Sequence, residues 1–300
     1  MSQVLRDLYQ SVTDQIVAAL EVGTAPWIRP WTGADDVPAN ATTQRPYRGI
    51  NVLLLNLHAQ ARGFSHNRWL TFQQALAVGA HVRKGEHGVP IVFFKMHEVD
   101  ASDVQHKPAD VRKVIPLLRS FTVFNVDQVD GLPPKLMPVP TPTAIWDALD
   151  AAEQLIDATG ADVRHGGSRA FYAPTHDLIQ LPPRTAFASP SDYYGTAVHE
   201  LTHWTGHPSR CNRSLGMRHG IDAYAFEELV AEMGAAFLCS HLKLPGRLQH
   251  DSYIASWLAA LRNDKRLIFV AASQAQKAAD YLLAAAGTKE SASAAIEVAA

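Results

Sequence analysis

A chain of 300 residues, 47% of them hydrophobic, can bury one large core or two ordinary ones, and two domains are expected. The formal net charge of -2 excludes a uniformly basic nucleic-acid coat, so affinity for phosphate has to come from a local patch. Cys211 and Cys239 are the two cysteines; they exclude a disulfide framework and, lacking CxxC spacing, a thiolate metal site, and they suit a reducing cytoplasm.

The first element is an amphipathic helix over Gln3 to Val22, ended by Gly23. Arg6, Asp7, Asp14 and Glu21 interrupt its apolar positions, so it lacks the unbroken hydrophobic segment of a signal peptide. No later run reaches the eighteen apolar residues of a membrane span, and a cytoplasmic protein without a membrane partner is expected. A second helix covers Asn51 to Arg62 and stops at Gly63. A third covers Phe72 to Val78, where Thr71 and Gln74 form a capping box ahead of Gly79. Strands at His81 to Arg83 and Val89 to Phe94 flank the turn KGEHG, and Phe121 to Val126 is a third strand able to pair with them.

Between Leu132 and Thr143 five prolines in twelve residues forbid a helix interior or a central strand. The organisation expected is therefore a first domain over 1–132, a Pro-rich linker over 133–143, a second domain over 144–287 and a fraying Ala/Ser-rich tail over 288–300. The fold class is α+β, with a mixed α/β first domain and a mostly helical second domain that carries a small sheet. That second domain opens with a helix near Ala144 to Thr159, followed by short strands at Ala170 to Tyr172 and Asp177 to Leu181. Ser189, Pro190 and Asp192 then supply a cap, a first-turn proline and a first-turn acid for a helix of about four turns that Gly206 stops.

That helix carries HELTH. Residues four apart share a helix face, so His199 and His203 can offer two imidazoles to one ion, with Glu200 one step round. A catalytic site of this kind needs a third protein ligand and an open position. The metzincin spacing puts a third histidine six residues after His203, and Ser209 stands there. The next helical run, AYAFEELVAEMGAAFLCSHL, offers Glu227, Glu228 and Glu232 beside the apolar stripe of Phe226, Leu229, Met233 and Phe237, where carboxylates are costly without partners.

Glu228 and Glu232 point the same way, which suggests Glu228 as the ligand and Glu232 as acceptor of the second N–H of a ligand histidine. The set implies Zn2+, or another divalent ion such as Mn2+, with Glu200 as general base on a metal-bound water and amide hydrolysis as the reaction class. Tyr193, Tyr194, Arg218, His219 and Tyr224 are all chemically able to stabilise an oxyanion, and nothing in the sequence selects one. His207 reads as a helix C-terminal cation rather than a ligand.

From Gln44 to Lys95 there are seven basic residues and one acid, Glu86, a net of +6. Basic grooves interleaved with aromatic faces are what single-stranded nucleic acid requires. The candidate contacts are Arg45, Tyr47 and Arg48 in QRPYRG, Arg68 and Trp69 in HNRWLT, Arg83 and Lys84 in VRKGEHG, and Trp27, Arg29 and Trp31 in the upstream PWIRPW.

Taken together, PWIRPW, RPYRGIN, RWLT and VRKGEHG followed by HELTHWTGH and FEELVAE resemble the plasmid antirestriction family ArdC, over nearly the whole chain from Leu8 to Leu283. The resemblance implies an N-terminal domain that binds single-stranded DNA and a C-terminal zincin-like metallopeptidase domain. It also implies protection of incoming conjugative DNA from host restriction, with a component of the restriction system as possible protein substrate; related N-terminal domains occur fused to plasmid primases. The metal motif carries onto His199, Glu200, His203 and the Glu228/Glu232 pair. Two other readings stand beside it: a DNA-binding protein with a purely structural metal, and a general cytoplasmic metalloprotease.

Overall fold

A computed structural model describes residues 3–23, 27, 37–99, 113–137, 145–213, 223–244 and 254–287. Its fold is α+β. The N-terminal half holds α1 (Gln3–Glu21), α2 (Ile50–Arg62) and α3 (Phe72–Ala77), with a sheet in the order β1-β2-β5-β4 (Ala39–Asn40, Arg68–Thr71, Lys113–Asn125, Val89–Val99). A two-stranded pair of β3 (His81–Val82) with β6 (Val129–Asp130) completes it. The C-terminal half holds α4 (Ile145–Thr159), a sheet in the order β7-β9-β8 (Asp162–His165, Leu178–Leu181, Phe171–Ala173), and α5 (Pro190–Trp204), α6 (Ala223–His241), α7 (Ile254–Asn263) and α8 (Leu267–Ala285).

Local signals account for the helix ends. Gly23, Gly63 and Gly79 take positive φ where α1, α2 and α3 stop, and the Thr71/Gln74 capping box is formed in both directions. The strands around KGEHG do not pair with each other. Gly85 turns the chain at φ 87°, and Gly88 then passes against β5, where a Cβ would lie 2.5 Å from Thr122 Cγ2 and 2.7 Å from the Val123 carbonyl oxygen. The turn therefore feeds β4 into a long antiparallel ladder with β5, Val89 opposite Val123, and leaves β3 to pair with β6.

α2 is buried on more than one side. Leu53 and Leu54 enter the main core and Leu55 and Ala59 a smaller one with Trp69, Ile91 and Val123. Asn51 fixes it to β4 by donating from Nδ2 to the Val92 carbonyl and accepting the Val92 N–H, both at 2.8 Å.

The main core crosses the proline-rich segment. Val12, Ile16 and Leu20 of α1 pack in one cluster with Leu155, Leu201, Leu229 and Ile268. Tyr9 meets Phe269 edge-on with ring centres 4.6 Å apart, Trp27 meets Trp257 at 5.6 Å, and Thr13 Oγ1 donates to the Lys265 carbonyl at 2.8 Å. The first helix thus completes the hydrophobic core of the C-terminal half. Leu132 to Met137 includes a short 3-10 turn, and the remainder of the expected linker and the tail over 288–300 lie outside the described residues. Among the described residues no helix is long and apolar enough to cross a membrane.

Candidate metal centre

α5 begins as its sequence dictates. Ser189 Oγ accepts the Asp192 N–H at 3.2 Å and donates to Asp192 Oδ2 at 2.8 Å, with Pro190 in the first turn. The helix is sunk in the core, with His199, Glu200, Leu201 and Thr202 all buried. α6 lies close against it, because Gly234 has no side chain: a Cβ there would come within 2.5 Å of Thr202 Cγ2. This contact brings the first turns of α6 opposite the HELTH segment.

The result is a convergence of three side chains from two helices. His199 Nε2 and His203 Nε2 are 3.2 Å apart, and Glu228 Oε2 and Oε1 lie 3.5 Å from each in turn. One ligand atom from each residue falls within a 4.8 Å group. Tetrahedral ligands at bond lengths of about 2.0–2.1 Å sit about 3.3 Å from one another. The closest approaches are near that spacing, two of them to different oxygens of Glu228, and the donor set fits a divalent cation.

Charge points the same way. Glu200, Glu227, Glu228 and Glu232 are buried, and among the described residues Arg213 is buried beside Glu227. Burial opposes protonation of His203, yet hydrogen bonds to Glu227 and Glu228 and the charges of Glu227 and Glu200 outweigh it and raise its pKa to about 10. Burial pushes Glu228 upward, but its bonds to His199 and His203 hold it well below the usual carboxylate range. Among the described residues these carboxylates outnumber the buried guanidinium, and a proton on His203 or a metal ion supplies positive charge.

The outer contacts differ on the two histidines. Glu232 Oε1 lies on the Nδ1 side of His199 at 3.9 Å, beyond hydrogen-bond range. His203 Nδ1 faces Glu227 Oε1 at 3.3 Å, and Glu227 is held by a two-pronged contact from Arg213, Nε to Oε2 at 3.0 Å and Nη2 to Oε1 at 2.6 Å. Sequence reasoning had Glu227 in view but gave it no task, and missed Arg213. The signal was present: a third acid beside an apolar stripe needs a buried cation, and Arg213 stands on the loop between the two helices.

Other residues named as able to stabilise an oxyanion are placed unevenly. Tyr193 is buried, with its hydroxyl 3.0 Å from His165 Nε2 and the Arg184 guanidinium 4.7 Å from its ring centre. Tyr194 is buried, Tyr224 is exposed, and Arg218 and His219 lie outside the described residues. His207 Nδ1 accepts the Ser209 N–H just past the helix end.

The expected nucleic-acid contacts need correcting in three places. Trp69 is fully buried and donates from Nε1 to Asn67 Oδ1 at 2.8 Å; Trp27 packs on Trp257; Tyr47 is buried, its hydroxyl 3.4 Å from Asn40 Nδ2. These rings fill cores, where a base has no access. Arg68 is half-buried and donates to the Val37 carbonyl. Arg45, Arg48, Arg83 and Lys84 are exposed; Arg48 pairs with Asp280 of α8, and Arg83 with Glu86 and Asp130. Arg29 and Trp31 lie outside the described residues.

Comparison with known proteins divides the chain between two family matches. Residues 6–124 match the N-terminal domain of anti-restriction factor ArdC, and residues 150–274 match a zincin-like metallopeptidase family. The crystal structure of the antirestriction ArdC protein from plasmid R388 in its metal-free form superposes with a TM-score of 0.80 at 43% identity, covering 95% of this chain and all of that one. Its Mn(II)-bound form gives 0.77 at 43% identity, over 94% and 99% of the two chains. The uncharacterized protein y4eC of Sinorhizobium fredii (strain NBRC 101917 / NGR234) is 42% identical over 287 residues, 93% of this chain and 92% of its own. DNA primase TraC of Escherichia coli is 40% identical over 303 residues, which is 95% of this chain and 28% of the primase. The chain belongs to the ArdC family of antirestriction proteins and carries that family's zincin-like domain.

Proposed function

We propose that the protein binds single-stranded DNA and carries a peptidase-type divalent-metal site, and that it protects incoming conjugative DNA from host restriction. The single observation that carries the metal half is the closure of His199, His203 and Glu228 at ligand spacing with Glu200 buried beside them. Those three residues would hold the ion, Zn2+ or Mn2+. Bound there, a divalent cation supplies Lewis acidity and lowers the pKa of a coordinated water toward 7.

The chain's own residues do the rest. Glu200, next to His199 and three residues from His203, would act as general base, accepting a proton from water at the site and returning it to a leaving amine. The low-exposure surroundings of α5 and α6 keep bulk water from screening these charges. The basic window from Gln44 to Lys95, with Arg45, Arg48, Arg83 and Lys84 exposed, supplies phosphate contacts. A component of the host restriction machinery is the proposed protein substrate.

A Glu200→Ala variant tests this reading. It is expected to keep metal and single-strand binding and to lose restriction protection in a conjugation assay. Full protection by that variant sinks the hydrolytic part and leaves DNA binding as the function.

A further inference from the structure

The pair that connects the two metal-bearing helices has no assigned task. Arg213 is buried, lies on the loop after α5 and makes bonds in three directions. Nε and Nη2 grip both oxygens of Glu227 on α6, Nη2 also donates to the Thr202 carbonyl at 2.6 Å, and Nη1 donates to Thr205 Oγ1 at 2.6 Å. The guanidinium therefore satisfies polar groups at the end of the HELTH helix while fixing a carboxylate on its neighbour. Gly206 leaves room for it: a Cβ there would sit 3.1 Å from Arg213 Nη2 and 2.9 Å from the His203 carbonyl oxygen. The clamped Glu227 in turn faces His203 Nδ1, on the ring edge opposite the one that faces His199 and Glu228.

We propose that Arg213 and Glu227 are positioning residues for the metal centre: Arg213 locks the Glu227 carboxylate so that it accepts a hydrogen bond from the Nδ1–H of His203 and leaves Nε2 as the ligand atom, aimed at the ion. This rests on the reading of His199, His203 and Glu228 as metal ligands. A histidine ligand whose second ring N–H is held by a carboxylate has a fixed tautomer and ring orientation and a more basic ligand nitrogen. The clamp also keeps α5 and α6 in register, because one side chain holds the end of the first helix and a residue adjacent to Glu228 on the second. Lysine cannot replace it, since a single ammonium lacks the planar fork that reaches a carboxylate, a carbonyl and a hydroxyl together.

The test is the Zn2+ dissociation constant by chelator competition, with the ligand-field spectrum of Co2+ loaded in place of zinc. Both are read on the full-length protein, its Glu227→Gln and Arg213→Lys variants, and the double variant Arg213→Met with Glu227→Leu. Removing the buried pair together avoids an unpaired charge, so the double variant is expected to fold. We expect affinity to fall about tenfold in Glu227→Gln and roughly ten- to a hundredfold in the double variant, with an altered Co2+ spectrum. Zn2+ affinity and Co2+ spectrum equal to the parent in folded Glu227→Gln and Arg213→Lys overturn the proposal, whether or not the double variant folds. His203→Ala separates the two levels: if it binds Zn2+ as tightly as the parent, the ligand assignment itself is wrong.

Discussion

Gly234 of α6 touches Thr202 of α5 so closely that a single added methyl group would lie 2.5 Å from Thr202 Cγ2. The two helices that carry His199, His203 and Glu228 are spaced by this contact. Gly234→Ala is expected to push them apart and destabilise the fold by about 1–3 kcal/mol, the cost of overpacking a rigid core. Denaturant unfolding of the metal-free protein measures it. Metal affinity should fall in the same variant; a stability equal to the parent would show that the helices are not in contact there.

Acidity acts on the centre through two groups with opposite shifts. His203 has its pKa raised from 6.5 to about 10, so the stability its charged form contributes is complete below 6.5 and is lost as pH rises toward 10. Glu228 is depressed from 4.5, so its contribution is complete above 4.5 and is lost as pH falls below that value. The metal-free protein should melt highest between pH 4.5 and 6.5. Because an ion must displace the His203 proton, added Zn2+ should raise the melting temperature more at pH 8 than at pH 5. Scanning fluorimetry with and without Zn2+ across this range decides it, and a stabilisation by zinc that does not grow with pH is the contrary outcome.

The basic window and its aromatic residues should respond to mutation in different ways. Trp69→Ala is expected to cost about 3–5 kcal/mol of stability through the cavity it leaves, whether or not DNA is present. Lys84→Ala and Arg45→Ala should leave stability within about 0.5 kcal/mol. Each should weaken single-strand binding and reduce the slope of log affinity against log salt by roughly 1. Fluorescence anisotropy with a labelled oligonucleotide over a salt series reads both effects.

Removing α1 should unfold more than the half of the chain to which it belongs in sequence. Val12, Ile16 and Leu20 are each almost fully buried in the core shared with α5, α6 and α8. At about 1.5–3 kcal/mol per side chain their loss approaches the whole stability of a domain. A chain lacking residues 1–23 is expected to lose the near-ultraviolet circular dichroism of the packed Trp257 and to bind zinc weakly. A cooperative unfolding transition at the parent's midpoint would contradict this.

Much of the site was legible because helical periodicity is rigid. HExxH fixes two imidazoles on one face, and an acid four residues from another acid on the next apolar helix supplies the partner face. Caps and stops at Ser189, Thr71, Gly63 and Gly79 were legible for the same local reason. The pairing of β4 with β5 was not, because it is decided by Gly88 fitting against a strand more than thirty residues away. Trp69 misled because RWLT reads as a basic aromatic patch, whereas Trp69 and Leu70, on opposite faces of β2, are both fully buried in separate cores; only tertiary contacts decide that burial. Arg213 escaped because its three acceptors are spread over neighbouring loop, helix end and the following helix.

Thr13 and Lys265, bonded across α1 and the loop before α8, are 252 positions apart. On a ribosome adding about 5–20 residues per second, the apolar face of the first helix therefore waits roughly 13–50 s for the segments that cover it. Stalled nascent chains should show α1 open to protease until α7 and α8 have left the exit tunnel, after which cleavage should stop.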